Sequence, residues 1–203
     1  MNAPAAPAVR GRPREFCVED ALAAALGVFW RKGYEGASLT DLTDAMGVSR
    51  PSLYACFGNK EGLFRQALDL YEREKLAYIG EALQKPTARG VAEHLLMSAL
   101  ERQTSMCDPR GCLGIVNAMQ CGDEAQSIRA EVQARGAAAN AALVARFERA
   151  KAEGDLPADA NPEGLARLLY AVNQGLAVQA SGGATHAELT TLVDTALQCW
   201  PTR

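Results

Sequence analysis

The chain has 203 residues, 48% of them apolar and 22% charged, with a formal net charge of −3. That is enough apolar material to bury a core, which excludes a natively unfolded chain. No apolar run reaches the ~18 residues a membrane span needs, and the opening MNAPAAPAVRGRPR lacks the apolar stretch of a secretory signal.

Six cysteines without such a signal point to reduced thiols and a cytoplasmic location rather than a disulfide scaffold. Alanine and leucine dominate and β-branched runs are scarce, so the chain reads as all-α.

Residues 1–14 read as a disordered arm carrying Arg10, Arg12 and Arg14 without an acidic neighbour before Glu15. The first helix is predicted over Val18 to Lys32, with Leu22, Ala25, Leu26 and Phe29 forming one apolar stripe. Gly33 ends it and Tyr34 follows as a packing residue. Ser38 is placed to cap a short helix, with Asp41 three residues on. Leu39, Leu42 and Met46 repeat the apolar stripe before Gly47 stops it. Ser49 caps again, Pro51 fits the first turn of the next helix, and Leu53 and Phe57 supply its apolar side. Asn59 caps a longer helix from Lys60 to about Leu83.

Helices are also expected over Ala88 to Ser105, over the apolar stretch 112–121, from a cap at Asp123 to about Glu153, over Glu163 to Ala180, and over Ala187 to Cys199. No repeat and no strand signal interrupts this order.

Charge is unevenly divided. Residues 1–60 hold seven Lys/Arg and six Asp/Glu, whereas residues 61–203 hold fourteen and eighteen. Local charge decides whether a surface attracts phosphate.

Residues 38–57 read as helix, glycine turn, helix, preceded by a third helix. Such an arrangement lays its second helix in the DNA major groove, with the N-terminal residues nearest the base edges. Leu39, Leu42, Met46, Val48, Leu53 and Phe57 then face inward against Leu22, Leu26 and Phe29. Ser49, Arg50, Pro51, Ser52 and Tyr54 are left outward. They offer a forked guanidinium for guanine, hydroxyls for phosphate or base, and a proline ring for a thymine methyl. Lys60, at the start of the following helix, is placed for a backbone phosphate. Arg12 and Arg14 in the arm can reach the flanking backbone or minor groove. An ordinary helical hairpin with a polar surface would show much of the same spacing.

The stretch GASLTDLTDAMGVSRPSLYACFGNKEGLFRQAL resembles the N-terminal domain of TetR-family transcriptional repressors. The resemblance rests on Gly33-Tyr34, Gly47-Val48-Ser49, Leu53-Tyr54, Phe57, and Lys60-Glu61 before Leu63-Phe64, and it covers about residues 15–70. It implies that Thr40, Arg50, Pro51, Ser52 and Tyr54 touch DNA and that Lys60 clamps a phosphate. Many members have a histidine where this chain has Cys56, which reads as a half-buried spacer. The resemblance further implies a helix-turn-helix DNA-binding domain over 15–60 and an all-α ligand-binding and dimerisation domain over 61–203. The partners it implies are double-stranded operator DNA, a second copy of the chain and an apolar small-molecule inducer.

In the second half, Leu165, Leu168, Leu169, Val172 and Leu176 line one helix face, and Leu189, Leu192, Val193 and Leu197 another. Two such helices from each of two subunits would form a four-helix dimer interface; the same faces could instead pack within one subunit. Met97, Leu113, Val116, Asn117, Met119, Gln120, Tyr170, Asn173 and Gln174 are the candidate ligand contacts. Cys107, Cys112 and Cys121 form a cluster that supports an alternative, a thiol-based redox or electrophile sensor. Buried free cysteines acting as small hydrophobes give the same pattern.

Nothing supports catalysis. The chain has no G-x-S-x-G, no phosphate-binding glycine loop, and no histidine paired with a nucleophile, so no enzyme, metal or cofactor is expected.

Overall fold

A computed structural model describes residues 17–105, 108–115 and 125–201. Nine helices lie wholly within them, and no strand occurs among the described residues: α1 (Val18–Gly36), α2 (Leu39–Met46), α3 (Arg50–Phe57), α4 (Lys60–Lys75), α5 (Ala77–Leu83), α6 (Ala88–Thr104), α7 (Gln126–Ala152), α8 (Pro162–Ser181) and α9 (His186–Gln198). No described helix is long and apolar enough to cross a membrane.

Most boundaries follow local chemistry. Ser38 and Asp41 form a reciprocal capping box at α2, and Gly47 closes that helix in the left-handed region at φ 65°. Ser49 caps α3 and Asn59 caps α4, each side-chain oxygen accepting a backbone N–H three residues on. Thr185 and Glu188 form a second capping box at α9.

Two boundaries depart from expectation. Gly33, at φ 71°, kinks α1 but the chain resumes helical bonding to Gly36. The long helix expected from Lys60 to Leu83 breaks at Leu76, whose φ −112° and ψ 8° leave the helical region. The chain there carries no glycine or proline; the break turns α5 onto α6, where Ala82 is fully buried. The helix assigned to 112–121 and the cap assigned to Asp123 fall mostly outside the described residues.

Two buried cores result. The first joins α1–α4 to Leu113 and the start of α7 through Ala125, Ile128 and Val132. Aromatic rings organise it. Phe29 meets Phe64 edge-on at 5.0 Å, Tyr34 meets Phe64 at 5.3 Å, and Trp30 meets Tyr71 at 4.8 Å. The Trp30 indole N–H donates to the Gly111 carbonyl at 3.1 Å, pinning α1 to the segment before Cys112. The second core joins α5, α6, the later part of α7, α8 and α9, with Phe147 against Trp200 at 5.3 Å.

The second core takes up most of the leucines on the expected dimer faces. Leu169, Leu176, Leu189, Val193 and Leu197 are buried within the single chain. The reason is geometric: α8 and α9 both pack onto α6, which absorbs their leucine stripes. Leu165, Val172 and Leu192 are half-buried at its edge, while Leu168 is 48% exposed. Val178, not among the expected residues, is equally exposed on α8.

Candidate nucleic-acid interface and effector cavity

The first core holds α2 and α3 from behind. Leu42 and Leu53 are fully buried, and Met46 and Phe57 nearly so, with Leu39 and Val48 packed at the margin. Burying a leucine or phenylalanine contributes roughly 1.5–3 kcal/mol, so these contacts fix which face of α3 looks out. That face carries Arg50, Pro51 and Tyr54, all exposed, with Ser52 half-buried beside them.

Four of the outward side chains are bonded within the protein. The Arg50 Nη2 donates to Thr40 Oγ1 at 2.9 Å, joining the N-terminal turns of α2 and α3. Ser49 Oγ lies 2.9 Å from Ser52 Oγ and also accepts the Ser52 N–H, so both hydroxyls are committed to the start of α3. Lys32 and Asp41 pair at 2.7 Å, tying the end of α1 to the capping box. Hydrogen bonds from Lys32 and Ser38 hold the Asp41 carboxyl down at about 2. Lys60 stands 4.6 Å above the Tyr34 ring, and partial burial lowers its pKa against the opposing field of Glu35. Thr40 and Arg50, and Ser49 and Ser52, are thus joined at the starts of α2 and α3, beside exposed Pro51 and Tyr54 on α3. Arg12 and Arg14 lie outside the described residues. Cys56 is exposed rather than a half-buried spacer, because Leu53 and Phe57 take the inward positions around it.

A chain of charges links α4 to α7. Glu61 accepts from Arg65 at 2.6 Å and from Ser127 at 2.8 Å; Arg65 also reaches Glu131 at 2.7 Å. Arg135 binds Glu131 at 2.6 Å, Asp69 at 2.7 Å and Glu72 at 2.8 Å. Burial opposes the Arg135 charge, but its three carboxylate partners outweigh that and raise its pKa.

Behind this chain lies a cavity of about 870 Å³, bounded by α4, α5, α6, α7, α8 and the segment around Cys112. Tyr71, Tyr78, Tyr170, Asn173 and Gln174 face it. Its polar groups largely satisfy one another. Tyr71 donates to Cys112 Sγ at 3.5 Å, Tyr78 bonds the Asn173 side chain, Tyr170 bonds Gln174, and Gln103 Oε1 accepts the Gly111 N–H at 2.8 Å. Burial, and next the neighbouring Cys112 sulfur, raises the pKa of all three phenols, Tyr78 to about 12. They remain protonated donors at neutral pH.

Of the expected ligand contacts, Tyr170, Asn173 and Gln174 reach this cavity. Met97 does not: it is 42% exposed on the far side of α6. Leu113 is fully buried in the first core instead of lining the space. Val116, Asn117, Met119 and Gln120 lie outside the described residues. Cys112 is half-buried on the cavity wall, whereas Cys107 and Cys121 lie outside the described residues. Tyr71, Tyr78 and Arg102 were missed, because a cavity walled by six segments leaves no local spacing in the chain.

Comparison with known proteins agrees with both halves. Residues 21–67 match the family model "Bacterial regulatory proteins, tetR family", and residues 93–191 match "Tetracyclin repressor-like, C-terminal domain". The HTH-type transcriptional repressor ComR of Escherichia coli (strain K12) is 34% identical over 95% of this chain and 92% of its own length. The HTH-type transcriptional repressor BdcR of the same organism is 37% identical over 52% of this chain and 53% of its own. Among solved structures, a cysteine mutant of the TetR-family regulator CifR complexed with 26-bp double-strand operator DNA is 41% identical. It superposes with a TM-score of 0.89, covering 94% of this chain and all of that one. With a paired-helix edge in front, a helical cavity behind, and relatives matched over nearly the whole length, the chain belongs to the TetR family of bacterial transcriptional regulators.

Proposed function

We infer that this protein is a repressor that binds a palindromic operator as a homodimer, with α3 of each subunit in the major groove, and that a small molecule in the cavity releases it. The edge formed by Thr40, Arg50, Pro51 and Tyr54 carries this reading: it is exposed, joined by the Arg50–Thr40 bond, and backed by a rigid core. The likeness to a CifR–operator complex supports DNA as the partner. Exposed Leu168 and Val178 on α8 give apolar area that a second subunit can cover.

Release is a population shift. A ligand that binds better to the conformer with wrongly spaced α3 helices draws the dimer off DNA. The α4 helix supplies the lever, because Tyr71 and Glu72 face the cavity while Leu63 and Phe64 sit in the core behind α3. The test is fluorescence anisotropy of a labelled duplex from the DNA upstream of the protein's own gene. Saturable binding that survives excess unrelated duplex is expected; equal competition by unrelated DNA overturns operator recognition.

A second reading, in which the trigger is a thiol-reactive electrophile, is favoured by Cys112 on the cavity wall 3.5 Å from the Tyr71 hydroxyl. Under it, Cys112→Ala abolishes release by an α,β-unsaturated aldehyde; retained release counts against it.

A further inference from the structure

Four charged side chains border the cavity, and three of them are neutralised within the protein. Arg135 and Glu72 belong to the α4–α7 chain of ion pairs. Arg167 pairs with Glu163 at 2.8 Å on the outer rim, where both side chains are well exposed. Arg102 differs. Among the described residues it makes no ion pair; its guanidinium stands 5.8 Å from the centroid of the Tyr78 ring, near the outer limit of a cation–π contact. Its charge is felt by the Tyr71 and Tyr78 hydroxyls, so it stands at the polar end of the cavity. Its place in the last turn of α6 complements the helix dipole, but an arginine pointing to solvent would serve that purpose equally.

Arg102 is half-buried at the edge of this mostly apolar space, where an anionic group would meet its charge. The neighbouring polar groups cannot supply that anion, because Tyr71, Tyr78, Gln103 and Asn173 are neutral and already bonded to one another or to adjacent groups. The same cavity is lined by the apolar side chains of Leu68, Leu76, Ile79 and Val132. A volume of about 870 Å³ suits a small organic molecule rather than a bare ion.

We propose that the effector is a small monocarboxylic acid with an aromatic or short alkyl body, its carboxylate bound by Arg102 and its body laid against Leu68, Leu76, Ile79 and Val132. The Tyr71 and Tyr78 hydroxyls, released from Cys112 and Asn173, turn to donate to the same carboxylate. Guanidinium–carboxylate bonds are among the stronger polar contacts available and favour a planar, two-oxygen ligand over a neutral amide. The proposal rests on the reading of this cavity as the effector site.

The test uses the full-length protein, with calorimetry for binding and anisotropy of the upstream duplex for release. The probes are phenylacetate, benzoate and octanoate, with phenylacetamide as the neutral match. At least one acid is expected to bind, and phenylacetate at least tenfold more tightly than phenylacetamide. Arg102→Gln is expected to weaken acid binding tenfold or more and to leave the amide unchanged, while Arg102→Lys keeps part of the preference. Should Arg102→Gln fail to fold, the acid-to-amide ratio in the wild type and in Arg102→Lys decides. Equal binding of acid and amide, undiminished acid binding by Arg102→Gln, or no binding by any of the three acids overturns the proposal. If an acid binds with this preference yet leaves the protein on DNA, the inducer reading fails and the carboxylate site stands. If the amide alone causes release, the inducer reading stands and the carboxylate site falls.

Discussion

Replacing Gly62 by alanine sets two effects in opposition. Gly62 lies in the first turn of α4, where its N–H donates to Asn59 Oδ1 at 2.7 Å. On helix propensity alone, Gly→Ala stabilises by about 1 kcal/mol. A Cβ at this position, however, would overlap the Phe57 carbonyl oxygen, a backbone atom that cannot swing aside. Relieving the overlap moves the C-terminal end of α3 away from α4, and overpacking of this kind costs roughly 1–3 kcal/mol. The net is a loss of up to about 2 kcal/mol, or a fall in Tm of up to ~8 °C for a chain of this length. Gly80 provides the control. It lies mid-α5 with nothing within 4 Å of an added Cβ, so Gly80→Ala is expected to raise stability by ~0.5–1 kcal/mol. Thermal melts by circular dichroism at fixed protein concentration compare the two, and anisotropy on the upstream duplex reports whether α3 has moved. Should Gly62→Ala melt at or above the wild type and bind DNA normally, the close approach of α3 to α4 is wrong.

Arg50→Ala is expected to weaken specific operator binding by roughly 1–3 kcal/mol and to relax one base preference, while leaving non-specific affinity unchanged; equal losses on both DNAs would remove Arg50 as a base reader. Lys60→Ala should weaken all duplexes alike and lower the slope of log affinity against log salt by about 1, which a salt titration measures. The Asp41 carboxyl has its pKa lowered from 3.8 to about 2 in the folded chain, so its contribution to stability is complete above pH 3.8 and disappears as pH falls toward 2. Asp41→Asn should accordingly flatten that part of the acid-denaturation curve; an unchanged curve would show the capping box and Lys32 pair to be idle. Gly136→Ala places a Cβ 2.6 Å from the Tyr170 hydroxyl, the movable end of a side chain. Stability should therefore change little while Tyr170 is displaced at the cavity, altering the concentration of inducer that gives half release.

The front of the molecule was legible because its signals are local. Ser38 with Asp41, Gly47, Ser49, Pro51 and Asn59 each act within a few residues, and the structure uses every one as a cap, stop or first-turn residue. Leu53 and Phe57 at helical spacing likewise divided α3 into a buried and an outward side. Legibility declined where a partner far along the chain decides the outcome. A leucine stripe on α8 or α9 states that the face is buried, not what buries it; α6 covers Leu169, Leu176, Leu189, Val193 and Leu197 within this chain. The break at Leu76 follows from how α5 settles on α6, and no residue nearby announces it. Arg102 and Tyr78 are 24 positions apart in number yet lie 5.8 Å from guanidinium to ring centroid at the cavity, a relation that spacing along the chain cannot express.

The aromatic cores also equip the protein with its own spectroscopic probes. Its two tryptophans divide evenly: Trp30 lies in the core behind the DNA-facing helices and Trp200 in the core of α5–α9. Both are about 4% exposed, so each should emit at short wavelength until its own core opens. Trp30 meets Tyr71, which faces the cavity, whereas Trp200 meets Phe147 in the other core. Single Trp→Phe variants thus give separate optical readings of the two halves. Coincident urea midpoints would mark one cooperative unit, and split midpoints two coupled ones.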